Sequence, residues 1–122
     1  MVAAKRILVI VSFLFLIGVI LQFFFAGLAL LGGEDWDLHK NFGWAALHFT
    51  PVLVLVLAYL AKVGRTLLLL TLALTIVSLV QPFWVTEFRD EFLGSMHVLG
   101  ALVIFTLAHH VAQRAMRGTG GA

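Results

Sequence analysis

The sequence predicts an all-α integral membrane protein: a four-helix bundle of up-down-up-down topology, built from two parallel helical-hairpin repeats. Three observations predict it. The 122 residues are 62% hydrophobic and only 11% charged, far from the balance of a soluble domain. Four runs without a charged residue, Ile7–Gly33, Asn41–Ala61, Thr66–Thr86 and Phe92–Gln113, hold 27, 21, 21 and 22 residues. A bilayer core of about 30 Å takes roughly 20 apolar residues as helix, so each run is long enough to cross once. The charges also divide by side. Lys5, Arg6, Lys62, Arg65, Arg114 and Arg117 fall at one end of a four-span arrangement. All six acids, Glu34, Asp35, Asp37, Glu87, Asp90 and Glu91, fall at the other, with Lys40 and Arg89. The positive-inside rule then predicts a multi-pass protein of the bacterial cytoplasmic (inner) membrane with both termini cytoplasmic.

The elements follow in order, as one four-span domain over 1–122 with spans near 5–31, 38–61, 66–81 and 95–115. Met1–Arg6 has the charge of a signal-peptide start, but the apolar run behind it is far longer than the roughly 7–15 residues of such a region. It is therefore read as an uncleaved first helix ending at Gly32-Gly33. Glu34–Asp37 is a tight acidic loop, with Trp36 at headgroup level and Asp37 as N-cap of the second helix. Pro51 removes the hydrogen bond to the Leu47 carbonyl, which predicts a kink. The inner turn Lys62–Arg65 makes the second and third helices antiparallel neighbours. Along the third helix Thr71, Thr75 and Ser78 form a polar stripe, and small polar residues of this kind face another helix rather than lipid. Pro82 is expected to end that helix. Phe83–Phe92, with Trp84, Phe88 and Phe92 four apart among charges, reads as an interfacial amphipathic segment lying flat. Ser95 caps the last helix, and Gly118–Ala122 is read as a flexible tail.

The two hairpins repeat their polar residues. Gln22 precedes His39 by 17 positions and Gln81 precedes His97 by 16; Leu38-His39 is followed by Gly43, and Met96-His97 by Gly100. Like-oriented hairpins of this kind pack about an axis along the membrane normal. His39 and His97 thus come to similar depth on helices that stand diagonally across a short-looped bundle. Ionisable residues in a span are costly and mark sites. Two imidazoles facing each other across an apolar core suit one metal, and haem with two axial histidines is the natural occupant. Gly43, Ala46 and Thr50 share the face of His39, and Gly100, Ala101 and Ala108 that of His97. These small residues leave either a slot for a flat macrocycle, edged by Phe42 and Phe105, or room for close helix packing.

His48 points from the opposite side of its helix, near Pro51. It is read as a core histidine bonded to freed carbonyls, or else as a second ligand or proton relay. His109 and His110 approach the basic end, and a second haem between them and His48 would join poorly matched depths. Gln22 and Gln81 either fix the histidine tautomers from a second layer or bond across helices as glue.

On these residues the chain resembles a family of small, uncharacterised bacterial four-helix membrane proteins. The resemblance rests on Gln22-Phe23-Phe24, Leu38-His39 with Gly43, and His97 with His109 or His110, Arg114 and Ala115. More loosely, the histidine-bearing helices look like those of b-type membrane cytochromes. That likeness implies haem b and paired histidine ligands, though only the last helix approaches the histidine spacing of two-haem members.

The function expected is therefore electron transfer through haem held by His39 and His97, with a quinol or a redox protein as partner. The alternative is a non-enzymatic accessory subunit of a larger membrane complex or homo-oligomer, held in membrane lipid. A transporter ranks last, because no carboxylate or lysine lies within a span. The absence of cysteine excludes disulfides and thiolate sites. No nucleophile–base set, phosphate loop or nucleic-acid-binding stripe is visible.

Overall fold

The computed structural model of the protein describes residues 2–118. Among these it is wholly helical: α1 (Val2–Leu31), α2 (Asp37–Phe42), α3 (Thr50–Leu60), α4 (Arg65–Phe88) and α5 (Met96–Arg117). A π-helical turn, Gly43–Leu47, joins α2 to α3, and a 3-10 turn, Phe92–Ser95, leads into α5. The tail expected beyond Gly118 lies outside the described residues. Four segments are long and apolar enough to cross a membrane: α1, the composite span Asp37–Leu60, α4 and Phe92–Arg117. The protein is a multi-pass membrane four-helix bundle.

The packing is a square. α1 and α4 each lie against both α3 and α5. The second span and α5 therefore stand diagonally, as do α1 and α4. One helical stripe per span builds the core: Leu8, Ser12, Phe15 and Val19 on α1, and Val54, Leu57 and Ala58 on α3. Leu67, Thr71, Leu74, Thr75 and Ser78 come from α4, and Ile104, Ala108, Val111, Ala112 and Ala115 from α5. The spacings of three and four are those of a single helix face. Lipid tails are as apolar as leucine, so small residues such as Ala58, Ala108 and Ala112 serve by letting backbones approach. The opposite faces, with Leu14, Ile17 and Ile20 on α1 and Leu69, Leu72 and Ile76 on α4, are exposed, as lipid contact requires.

The polar stripe of α4 is buried as expected. The Thr75 hydroxyl lies 2.9 Å from the Pro51 carbonyl oxygen and 2.8 Å from that of Thr71, so its one proton is shared between α3 and its own helix. This ties α4 to the first turn of α3.

Four local expectations are corrected. The kink at Pro51 is a full interruption: the His48 amide donates to the Gly43 carbonyl at 2.9 Å, closing a π-turn, and α3 restarts at Thr50 with proline in its first turn. There the missing N–H costs nothing, and the Thr50 hydroxyl covers the Ala46 carbonyl at 2.5 Å. Pro82, by contrast, does not end α4, which runs on to Phe88. A proline inside a helix costs about 3 kcal/mol, and packing of α4 on α5 and the 3-10 turn, with Gln81 bonded to His97, overrides that cost. Residues 83–88 are thus the last turns of a span, with Phe83, Trp84 and Phe88 clustered at the rim. Asp37 does not cap: it is the first helical residue, its amide held at 2.9 Å by the Asp35 carboxylate, and its own carboxylate meets Lys40 at 3.0 Å. Ser95 occupies the N-cap position of α5, but its hydroxyl donates back to the Phe92 carbonyl.

The turn after α3 is the clearest strained point. Val63 N–H bonds the Ala58 carbonyl and Lys62 N–H that of Tyr59, the two bonds of a Schellman cap. The residue in its left-handed position is Lys62, with φ of 51°, where glycine is the usual occupant. A side chain there costs about 1 kcal/mol. Lys62→Gly is expected to raise unfolding stability in detergent by about that much, read from the midpoint of a denaturant titration followed by helical circular dichroism.

Candidate functional site

The two polar repeats meet at the acid-rich end of the bundle. His39 stands in the first turns of the second span and His97 in the first turn of α5, both half-buried. Their ring centroids are 6.2 Å apart, with planes at 67°. Residues 58 positions apart in the chain are thus brought together across the diagonal that short loops dictate.

Each histidine is held by the glutamine of its own hairpin in a reciprocal pair of bonds. The Gln22 side-chain amide donates to the His39 carbonyl at 2.8 Å, and His39 Nδ1 lies 3.2 Å from the Gln22 carbonyl oxygen. The second hairpin repeats this: the Gln81 amide donates to the His97 carbonyl at 2.5 Å, and His97 Nδ1 lies 3.0 Å from the Gln81 carbonyl oxygen. A carbonyl only accepts, so Nδ1 carries a proton in both rings, and in a neutral ring so oriented it is Nε2 that holds the lone pair. No described residue bonds either Nε2. The expectation that the glutamine side chains would bond the imidazoles is not met: the imidazoles bond the glutamine backbone, and the glutamine side chains bond the histidine backbone across helices.

The glycines explain how the glutamines reach. A methyl added at Gly43 would stand 2.7 Å from Gln22 Nε2, and one added at Gly100 would collide with Gln81 Oε1. The space above each glycine is filled by a glutamine amide, so these two positions are not the open slot that their size suggested. The one-residue differences in spacing, 17 against 16 and 4 against 3, are absorbed without changing this contact. Gln22 Oε1 and Gln81 Oε1 are buried without a hydrogen-bond partner, a matched pair of unused acceptors beside the imidazoles.

Aromatic rings close the site. Trp36 packs edge-on against His39 at 5.5 Å, a neighbour that its place in a loop did not announce. Phe42 meets Phe25 at 5.2 Å and Phe105 meets Phe23 at 6.4 Å, both nearly perpendicular. Ala46 lines a separate groove of about 270 Å³ with Gly18, Phe42, Leu47 and Thr50, while Ala101 is half-buried on α5.

The remaining histidines stay apart from the pair. His48, at the end of the π-turn, is packed between the rings of Trp44 (4.4 Å) and Phe49 (4.5 Å). Its side chain bonds no freed carbonyl among the described residues; it is the Thr50 hydroxyl that bonds back to the Ala46 carbonyl. His109 and His110 are exposed; the first stacks on Phe105, and the second lies 2.8 Å from the Thr106 carbonyl on its own helix. Neither is brought to His48. Among the described residues no three His, Cys, Asp or Glu side chains form a group able to hold a metal ion.

Fold and site define a four-helix multi-pass membrane protein whose two hairpins each close on a glutamine–histidine clamp. The chain belongs to a family of unknown function, DUF6220, whose profile matches residues 22–87, more than half of its length. The match opens on Gln22, takes in His39 and Gln81, and stops short of His97. No curated protein matches the chain, and no solved structure does, so nothing in these comparisons supports the looser likeness to cytochromes.

The contact between Gln22 and Gly43 makes a sharp prediction. Gly43→Ala displaces the Gln22 amide from the His39 carbonyl, and Gln22→Ala removes the same bond. Each is expected to cost about 1 kcal/mol. The double variant should cost clearly less than the sum, because the added methyl then enters vacated space. A double-mutant cycle of unfolding stability in detergent checks this, and full additivity would refute it.

Proposed function

We propose that the protein is a b-type cytochrome-like electron carrier in which His39 and His97 hold one haem b between the second span and α5. A quinol or a redox protein is the partner. The observation that carries this reading is the imidazole pair itself: two half-buried rings, each with Nδ1 committed to a backbone carbonyl and Nε2 unbonded. Ligating histidines are oriented in just this way by a bond at their other nitrogen. The spacing agrees as well. The two ring centroids are 6.2 Å apart, close enough that His39 and His97 could hold one group between them.

The chemistry of the donor set favours haem over a bare ion. A structural zinc takes four protein ligands, whereas haem would bring four nitrogens of its own and could be held by His39 and His97 alone. Bound there, haem supplies a one-electron Fe(III)/Fe(II) couple. The chain's own part is to hold the two rings. The glutamine carbonyls keep the protons on Nδ1, and Trp36 covers one imidazole edge. We place the protein in the bacterial cytoplasmic membrane with both termini inside, from the six basic residues at the terminal end of the bundle.

One observation favours a second reading, that of an accessory subunit in a larger membrane complex or homo-oligomer. The most apolar stretch of the Phe92–Arg117 span holds the smallest share of buried residues among the four spans, which suits a helix that packs on another protein. The clamps would then serve helix packing alone.

Absorption spectra of the detergent-purified protein, oxidised and dithionite-reduced, separate the two. The cytochrome reading predicts a six-coordinate b-haem spectrum that His39→Ala or His97→Ala abolishes, while His48→Ala and His110→Ala leave it intact. A wild-type protein that stays colourless after haem is supplied during expression leaves the accessory reading standing.

A further inference from the structure

At the end of the bundle opposite the histidines, the four spans leave a bowl of about 440 Å³, within the roughly 300–1,000 Å³ of ligand sites. Its lining carries five cations, Lys5, Lys62, Arg65, Arg114 and Arg117, drawn from α1, the α3–α4 turn, the start of α4 and α5. Among the described residues no acid lines it and none of the five forms a salt bridge. All six acidic side chains lie at the far end of the spans, so none of them offsets the repulsion among these charges.

Two further details point to a ligand. The bowl includes the start of α4, where Gly64 offers no side-chain cap and the first ladder bond runs from Leu68 to the Gly64 carbonyl. The preceding amides, with the positive end of the helix dipole, thus face the same space as the cations. The second detail is Lys62. It holds the left-handed position of the Schellman cap, where glycine would be easier, while the neighbouring Gly64 takes an ordinary extended conformation. A strained side chain retained at such a point suggests that the side chain is used. Here it contributes a charge to the rim.

We propose that this bowl is a binding site for a phosphate-bearing anion, supplied by a phospholipid headgroup of the leaflet at that end or by a free phosphate. Basic pockets between transmembrane helices hold lipid phosphates in this way. Apolar residues sit at the bowl's inner wall, Leu8 and Ala115 both being buried there, so a phosphate at the mouth is met by charge and not by hydrocarbon. The site is independent of the histidine pair and of the haem reading.

The test uses the full chain in neutral detergent, with thermal stability and native mass spectrometry as readouts. Added phosphatidylglycerol is expected to remain bound and to raise the melting temperature, where phosphatidylcholine does neither. Each charge removed, as in Arg65→Gln, Arg114→Gln or Lys62→Gly, should weaken retention about fivefold. Lys62→Gly is the decisive variant, because it relaxes the backbone and should lose lipid while gaining stability. Inorganic phosphate stabilising the lipid-free protein, beyond sodium chloride at equal ionic strength, would assign the site to a free anion of the same chemistry. Equal retention of phosphatidylcholine, stabilisation matched by sodium chloride, or unchanged retention in the variants would each overturn the proposal.

Discussion

A chain inside a bilayer must satisfy its backbone polar groups internally, because lipid offers no partner. In this protein that constraint is met between helices by one device used twice: a glutamine and a histidine exchanging side-chain-to-backbone bonds. The device needs a glycine beneath the glutamine, and it fixes where each hairpin closes at the acid-rich end. Around it the rest follows. The hairpins come to equal depth, the imidazoles meet across the diagonal, and the opposite half of the bundle is left to pack through alanines and a threonine stripe.

The two prolines show how local preference yields to packing. Pro51 sits beyond a π-turn, in the one part of a helix where its missing amide is harmless. Its carbonyl is then taken up by Thr75 from the neighbouring span. Pro82 has no such excuse, yet α4 passes through it, because Gln81 immediately before it is fastened by two bonds to α5. A proline removes one hydrogen bond; a clamp beside it restores two. The same residue type thus breaks one span and is tolerated in another.

The two ends of the bundle are chemically opposite. One carries the acids, the tryptophan edge and two imidazoles whose Nδ1 atoms are bonded to backbone carbonyls; the other carries a ring of cations around an open bowl. The charged residues of the spans, Lys5, Asp37, Lys40, Arg65, Glu87, Arg114 and Arg117 among them, stand near the span ends, and the apolar middle of the bundle separates the two sets.

Much of this was determined by the sequence alone. Run length and charge asymmetry require four spans and their alternation, since a bilayer accepts little else, and the repeat of Gln, His and Gly announced that two hairpins share a plan. That His39 and His97 would meet followed from short loops placing alternate spans on a diagonal. Tertiary structure decided the rest. Gly43 and Gly100 read as a vacant face because a helix wheel shows small residues without showing what crosses them, and the glutamines that fill the space come from another helix. The role of the Gln22 and Gln81 carbonyls could not be read either, for every residue has a carbonyl and only packing selects which one accepts. The π-turn, the continuation through Pro82 and the bowl of cations share that origin: each depends on which backbone groups and charges distant segments bring within reach.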